Sequence, residues 1–217
     1  MSHELKGLYK LGGAAFVVSG LLFLLRAVLD LMAGAPPSSG VEILAWIASN
    51  SLILGLDSEI LFFAAMFLVP AVIALYQSLA CTDRVKAAIG CGIIAVAIPV
   101  LLVLLIVHGR LVYPVYGIRA STPGLAALVV AVFYGGLHAV SLLLGIATVV
   151  LSLAMKGGAY GKPTVYLGFA TAVFDVVGAY PYAIGPILTL VTQGFFAAWF
   201  FAVGSQLYRM PERTAAA

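Results

Sequence analysis

Ile60-Leu61-Phe62-Phe63-Ala64-Ala65-Met66-Phe67-Leu68-Val69, and farther along Pro99-Val100-Leu101-Leu102-Val103-Leu104-Leu105-Ile106-Val107, decide the fold. Neither run alternates apolar with polar residues as a membrane strand would, and each sits in a stretch of about 20 apolar residues, the length that carries a helix across a hydrocarbon core. Four more such stretches flank them, giving six in all: Leu8 to Met32, Asp57 to Leu79, Ala87 to Val107, Pro123 to Met155, Pro163 to Ala179 and Pro186 to Tyr208. The expected fold is all-α, a polytopic membrane helical bundle of six transmembrane helices forming one domain over residues 1–217. Pro70 and Pro99 each remove a backbone hydrogen bond and predict kinks.

Composition agrees. Of the 217 residues 64% are hydrophobic and 9% charged, against about 45 to 50% and about 25% in soluble globular proteins. A soluble domain is excluded, and 11 Lys plus Arg against 8 Asp plus Glu leave too little positive charge for a nucleic-acid binder. The lipid bilayer is the expected partner, and the cell membrane the expected location. Self-association into a homo-oligomer is left open.

Orientation follows from the basic residues, which favour cytoplasmic loops. Lys6, Lys10, Arg84, Lys86, Lys156, Lys162, Arg209 and Arg213 fall on one side of the bundle; Arg26, Arg110 and Arg119 fall on the other. Both termini are therefore expected in the cytoplasm. Arg26 and Asp30 interrupt the first stretch, which favours a retained helix over a cleaved leader. The outer connection 33–56 opens with Pro36-Pro37-Ser38-Ser39-Gly40 and predicts a short interfacial helix over Val41 to Asn50, either an anchor or a lid.

Motifs for chemistry are missing. Cys81 and Cys91 stand ten positions apart, without the C-x-x-C of a redox pair. The segment from Gly157 to Thr164 resembles a phosphate loop, but Lys156 occupies the place of its first Gly and Pro163 the place of its hydroxyl. His3, His108 and His138 form no pair at helical spacing. No cofactor and no metal are expected.

The informative pattern is a pair of stripes. Tyr134, His138, Ser141, Gly145, Thr148 and Ser152 recur at steps of 4, 3, 4, 3, 4, and so do Thr164, Gly168, Thr171, Asp175, Gly178 and Tyr182. Each stripe lines one helix face, and small or hydroxylated residues are what close helix packing selects. Folding the two segments about Ala159 opposes Ser152 to Thr164, Gly145 to Thr171, Ser141 to Asp175 and His138 to Gly178. On the other segments Arg26 and Asp30 lie four apart and can pair. Asp57 reads equally as a helix cap or a ligand group, Glu59 leads a face through Phe63, Met66, Pro70, Ile73 and Gln77, and His108 ends its segment. Charges inside a membrane cost about 3 kcal/mol or more unless paired or wetted. Four segments contributing them at the outer end therefore predict a polar, outward-facing cavity there, with Arg26, Asp30, Glu59, His108, Tyr134, His138, Ser141, Asp175 and Tyr182 as its candidate ligand-binding residues.

Leu8-Tyr9-Lys10-Leu11-Gly12-Gly13, Leu44-Ala45-Trp46-Ile47-Ala48-Ser49-Asn50 and Val69-Pro70-Ala71-Val72-Ile73-Ala74-Leu75-Tyr76 resemble an uncharacterised prokaryotic family of multi-pass proteins known as a domain of unknown function. That resemblance implies a membrane bundle and carries no site residues. The six-segment size is also similar to the substrate-binding subunits of vitamin importers, a likeness of shape. The favoured function is a transport or receptor component binding a small molecule or lipid, rather than an enzyme. The alternatives are a structural or assembly protein, and a membrane-embedded metal-dependent hydrolase built on His108, His138, Glu59 and Asp175.

Overall fold

The computed structural model describes residues 3–216, with side chains through residue 211. These residues form α1 (His3–Ala33), α2 (Gly40–Gly109), α3 (Pro123–Met155), α4 (Lys162–Gly178) and α5 (Pro181–Ala216), and no strand is present among them. Four of the five, all but α4, are long and apolar enough to cross a membrane.

The 70-residue α2 is not one rod. Its backbone leaves helical geometry at Asn50 and Asp83. Ser58 and His108, which a straight helix would hold about 75 Å apart, approach to 2.8 Å. The chain therefore turns back at Asp83, and residues 51–82 and 84–109 run antiparallel. Asp83 accepts from the Lys86 backbone N–H at 3.1 Å and pairs with the Lys86 ammonium, capping the returning arm. Those two bonds hold its carboxyl below the usual carboxylate range. A group with a depressed folded pKa stabilises above its unfolded value and loses that contribution as the pH falls through the folded one. Asp83→Ala should therefore lower the melting temperature at neutral pH, and the gap from the unmodified protein should close below about pH 4; a gap independent of pH would rule out the charged cap.

At the opposite end lies the stretch expected to hold a short helix over Val41 to Asn50, and the helix there runs from Gly40 to the break at Asn50. The connection 33–56 is mostly helix: Ser39 caps α2 by accepting from Glu42 N–H at 3.3 Å, and after Asn50 the helix resumes at once. Asn50 Nδ2 donates to the Trp46 carbonyl, satisfying a group that the break would orphan. Trp46 is buried and donates to the Ala33 carbonyl at 2.8 Å. It packs with Ile43, Ile47, Leu111, Val129 and Val130 in an apolar cluster of its own, so this short helix rests on protein. Between α2 and α3, Tyr116 and Gly117 both take positive φ at the tip of a small hairpin closed by Val115 and Ile118, the requirement of a tight two-residue turn.

The core runs between the rods. Gly13 of α1 crosses α5 at Gly204, and Phe16, Phe23, Phe196 and Phe200 meet edge to face beside the crossing. Lys10 lies over the Tyr208 ring, and the Ser78 hydroxyl bonds Tyr160. The starts of α1, the Asp83 turn, the α3–α4 turn and the end of α5 thus share one end of the bundle. Large apolar side chains also cover the outside, among them Leu21, Phe63, Ile106, Leu128 and Ile187, a distribution suited to lipid.

Candidate functional site

The polar residues collect at the other end, in two linked groups. In the first, Arg26 of α1 pairs with Asp30 one turn on at 3.0 Å and reaches Asp57 of α2 at 3.2 Å. Asp57 is 2% exposed, and the contact lies at ion-pair distance but off the direction of a hydrogen bond. The Arg26 guanidinium also sits 5.6 Å from the Phe133 ring centre, and His108 stacks on the same ring at 4.0 Å. Ser58 Oγ donates to the Leu54 carbonyl, which leaves it to accept from His108 Nδ1 at 2.8 Å. Asp57 Oδ2 lies 3.9 Å from that same nitrogen.

The second group surrounds a cavity of about 90 Å³. Arg26, Asp30, Tyr134, His138, Ser141 and Asp175 line it, so six of the nine residues expected from sequence come together. Thr189 and Gln193 of α5 join them, and Phe23, Leu61, Leu101 and Phe196 supply apolar wall. His138 Nδ1 lies 2.7 Å from the Ala179 carbonyl, and its ring meets Tyr180 edge to face at 4.8 Å. Asp175 is 7% exposed, and its Oδ2 has no hydrogen-bond partner. Asp30, His138, Ser141 and Gln193 are half-buried.

Three expected residues lie elsewhere. Tyr182 is 81% exposed and points away, while Tyr180 takes the position beside His138. His108 is sealed at 1% exposure behind Phe133. Glu59 is exposed beside the Tyr113 phenol of the α2–α3 connection, whose pKa is raised by burial first and by the Glu59 charge second. The face that Glu59 leads through Phe63, Met66 and Ile73 is the outward one; the buried face of the same arm is Leu54, Asp57, Leu61, Ala64 and Leu68. Asp57, about two turns past the break at Asn50 and inside the helix, is therefore no cap but part of the site. Its steps of 3, 4, 3, 4 to buried apolar neighbours are the signal that could have found it. The four residues named for a metal-dependent hydrolase are not brought together, and among the described residues no three His, Cys, Asp or Glu side chains could hold a metal ion.

The two stripes do meet, about one turn away from the expected register. Ser152 opposes Gly168, Gly145 faces Asp175 and Ala172, and His138 reaches Ala179. Side chains lean toward their own helix N-terminus, which is away from the connecting turn on α3 and toward it on α4. Contacts therefore form between an α3 residue and an α4 residue lying farther from the turn than its mirror position. The α4 stripe also serves α5: Gly178 abuts Thr192, and Thr171 donates to the Phe195 carbonyl. Comparison with protein-family models, with curated proteins and with solved structures finds no match to this chain, so the cavity is read from its own geometry.

Proposed function

We propose that this chain is a multi-pass protein of the cell membrane that crosses it six times with both ends cytoplasmic, and that the cavity faces outward and binds a small molecule or a lipid headgroup as a transport or receptor component. The observation that carries the binding reading is Asp175, a buried carboxylate with an unpartnered oxygen on a cavity wall that also holds Ser141 and Gln193. Unsatisfied buried acceptors are costly and rare in a finished interface. The basic excess at the end that carries the Asp83 and α3–α4 turns supports the orientation. At 17 residues, α4 reaches about 25 Å, somewhat short of a core of about 30 Å, and crosses with local thinning of the bilayer. A purely structural role is favoured by one observation, the close packing of Gly168 against Ser152 and Trp199, which belongs to the half of the bundle away from the cavity.

Cysteine labelling tests both parts. In a background with Cys81 and Cys91 replaced, cysteine at Ser39 should react with an impermeant thiol reagent from outside intact cells and cysteine at Gly158 only after permeabilisation. Cysteine at Ser141 should react from outside with a small methanethiosulfonate. Reaction of Ser39 and Gly158 from the same side removes the topology; an inert Ser141 position removes the open cavity.

A further inference from the structure

Resting on the reading of this cavity as a binding site, we infer that its ligand is a small primary ammonium compound, bound by Asp175. The charge balance gives the sign. Arg26 is the one guanidinium among the side chains that line the cavity, and it lies at ion-pair distance from two carboxylates, Asp30 at 3.0 Å and Asp57 at 3.2 Å, while its Nε and Nη2 make no hydrogen bond. Asp175 shares the cavity and receives no cation of its own; its Oδ2 meets no donor.

Several of the other polar groups on the wall can accept, although Tyr134, Ser141 and Gln193 also carry donors. A carbonyl can only accept, so at 2.7 Å from the Ala179 oxygen His138 Nδ1 carries a proton, and with Nδ1 so used Nε2 is the other polar atom of a residue that lines the cavity. Ser141, Thr189 and Gln193 each offer an oxygen, although Thr189 Oγ1 already donates to the Gly185 carbonyl. An ammonium group brings three N–H donors and a positive charge to such a wall, and charge-assisted bonds are about twice as strong as neutral ones. An anion would meet the carboxylates before it met a free cation.

Size and lining separate an amine from a bare metal ion. Hard cations take six to eight oxygen ligands, whereas this wall mixes an imidazole nitrogen and scattered oxygens with Phe23, Leu101 and Phe196. The apolar portion suits a short alkyl group attached to the ammonium, and the aromatic rings favour a cation near their faces. A volume of about 90 Å³ limits the part enclosed to a few heavy atoms.

Thermal unfolding of the purified full chain in detergent, with methylammonium chloride, sodium chloride, acetamide or sodium acetate as probe at matched ionic strength, tests the inference. Methylammonium should raise the melting temperature saturably above the sodium chloride control, and Asp175→Asn should weaken the half-saturating concentration about tenfold or more, as loss of one charge-assisted bond requires. Methylammonium acting no differently from sodium chloride overturns the inference, as does an undiminished response in Asp175→Asn. If that variant does not fold, the contrast among probes in the unmodified protein decides alone. Saturable stabilisation by acetamide or acetate without methylammonium would end the ammonium assignment and keep the binding cavity. With no probe active, the ammonium assignment falls, and the reactivity of cysteine at Ser141 tells whether the open cavity falls with it.

Discussion

Arg26→Met should destabilise the folded bundle by about 3 to 5 kcal/mol, the cost of leaving a buried charge without its partner. The methionine fills much of the space of the arginine stem, so lost packing contributes little. What remains is Asp57, 2% exposed, with His108 Nδ1 at 3.9 Å, while Asp30, the less buried partner, also loses its ion pair. Replacing the pair together should cost far less, because apolar groups of similar volume substitute for a buried ion pair with little net loss. The double variant Arg26→Met with Asp57→Leu is therefore expected to recover most of the stability, measured by unfolding in mixed micelles. A double variant whose loss equals the sum of the losses of Arg26→Met and Asp57→Leu alone would mean that the two residues act independently and that the network does not exist as drawn.

Gly13→Val should separate α1 from α5. A Cβ at Gly13 would lie 2.6 Å from the Gly204 carbonyl oxygen and 2.6 Å from the Tyr208 nitrogen, and a Cβ at Gly204 would lie 2.6 Å from the Gly13 carbonyl oxygen. These neighbours are backbone, so relief requires the helices to move apart rather than a side chain to rotate. Overpacking of this kind costs about 1 to 3 kcal/mol and sometimes more, here with loss of the Phe16–Phe200 contact next to it. Gly92→Val is the control, since nothing lies within 4 Å of a Cβ there. Equal melting temperatures for the two variants would show that the crossing is looser than its geometry.

The all-helical architecture was legible because a long apolar run without alternation has few folded outcomes, and Ile60 to Val69 and Pro99 to Val107 are such runs. In the connection 33–56 the helix over Val41 to Asn50 was legible too, but its immediate resumption after Asn50 was not. The helix survives one non-helical residue, with Asn50 itself bonding the exposed carbonyl. In the site, Arg26 with Asp30 was readable from a spacing of four on one helix. Its reach to Asp57 was not, since that contact depends on which faces of α1 and α2 meet. Glu59 and Asp57 stand two apart, on different faces of one helix, and choosing between them required weighing the buried stripe Leu54, Leu61, Ala64 and Leu68 against the outward Phe63, Met66 and Ile73. Asp175 with His138 was found from periodicity, and its register then slipped by a turn because spacing along two helices does not include the lean of their side chains.

The pairing of Arg26 with a partner on its own helix bears on how the protein is made. On the membrane reading, α1 leaves the ribosome ahead of Asp57, which follows Arg26 along the chain, so its arginine enters the bilayer without that carboxylate. Asp30, 3.0 Å away within α1, is already present and makes the segment close to neutral during insertion, where a lone Arg costs about 2.5 to 3.5 kcal/mol on insertion scales. Asp57 then arrives on the next arm as the late member of the pair and is drawn to a cation waiting at its own depth. The same arginine thus serves two carboxylates in succession, one for entry and one for assembly.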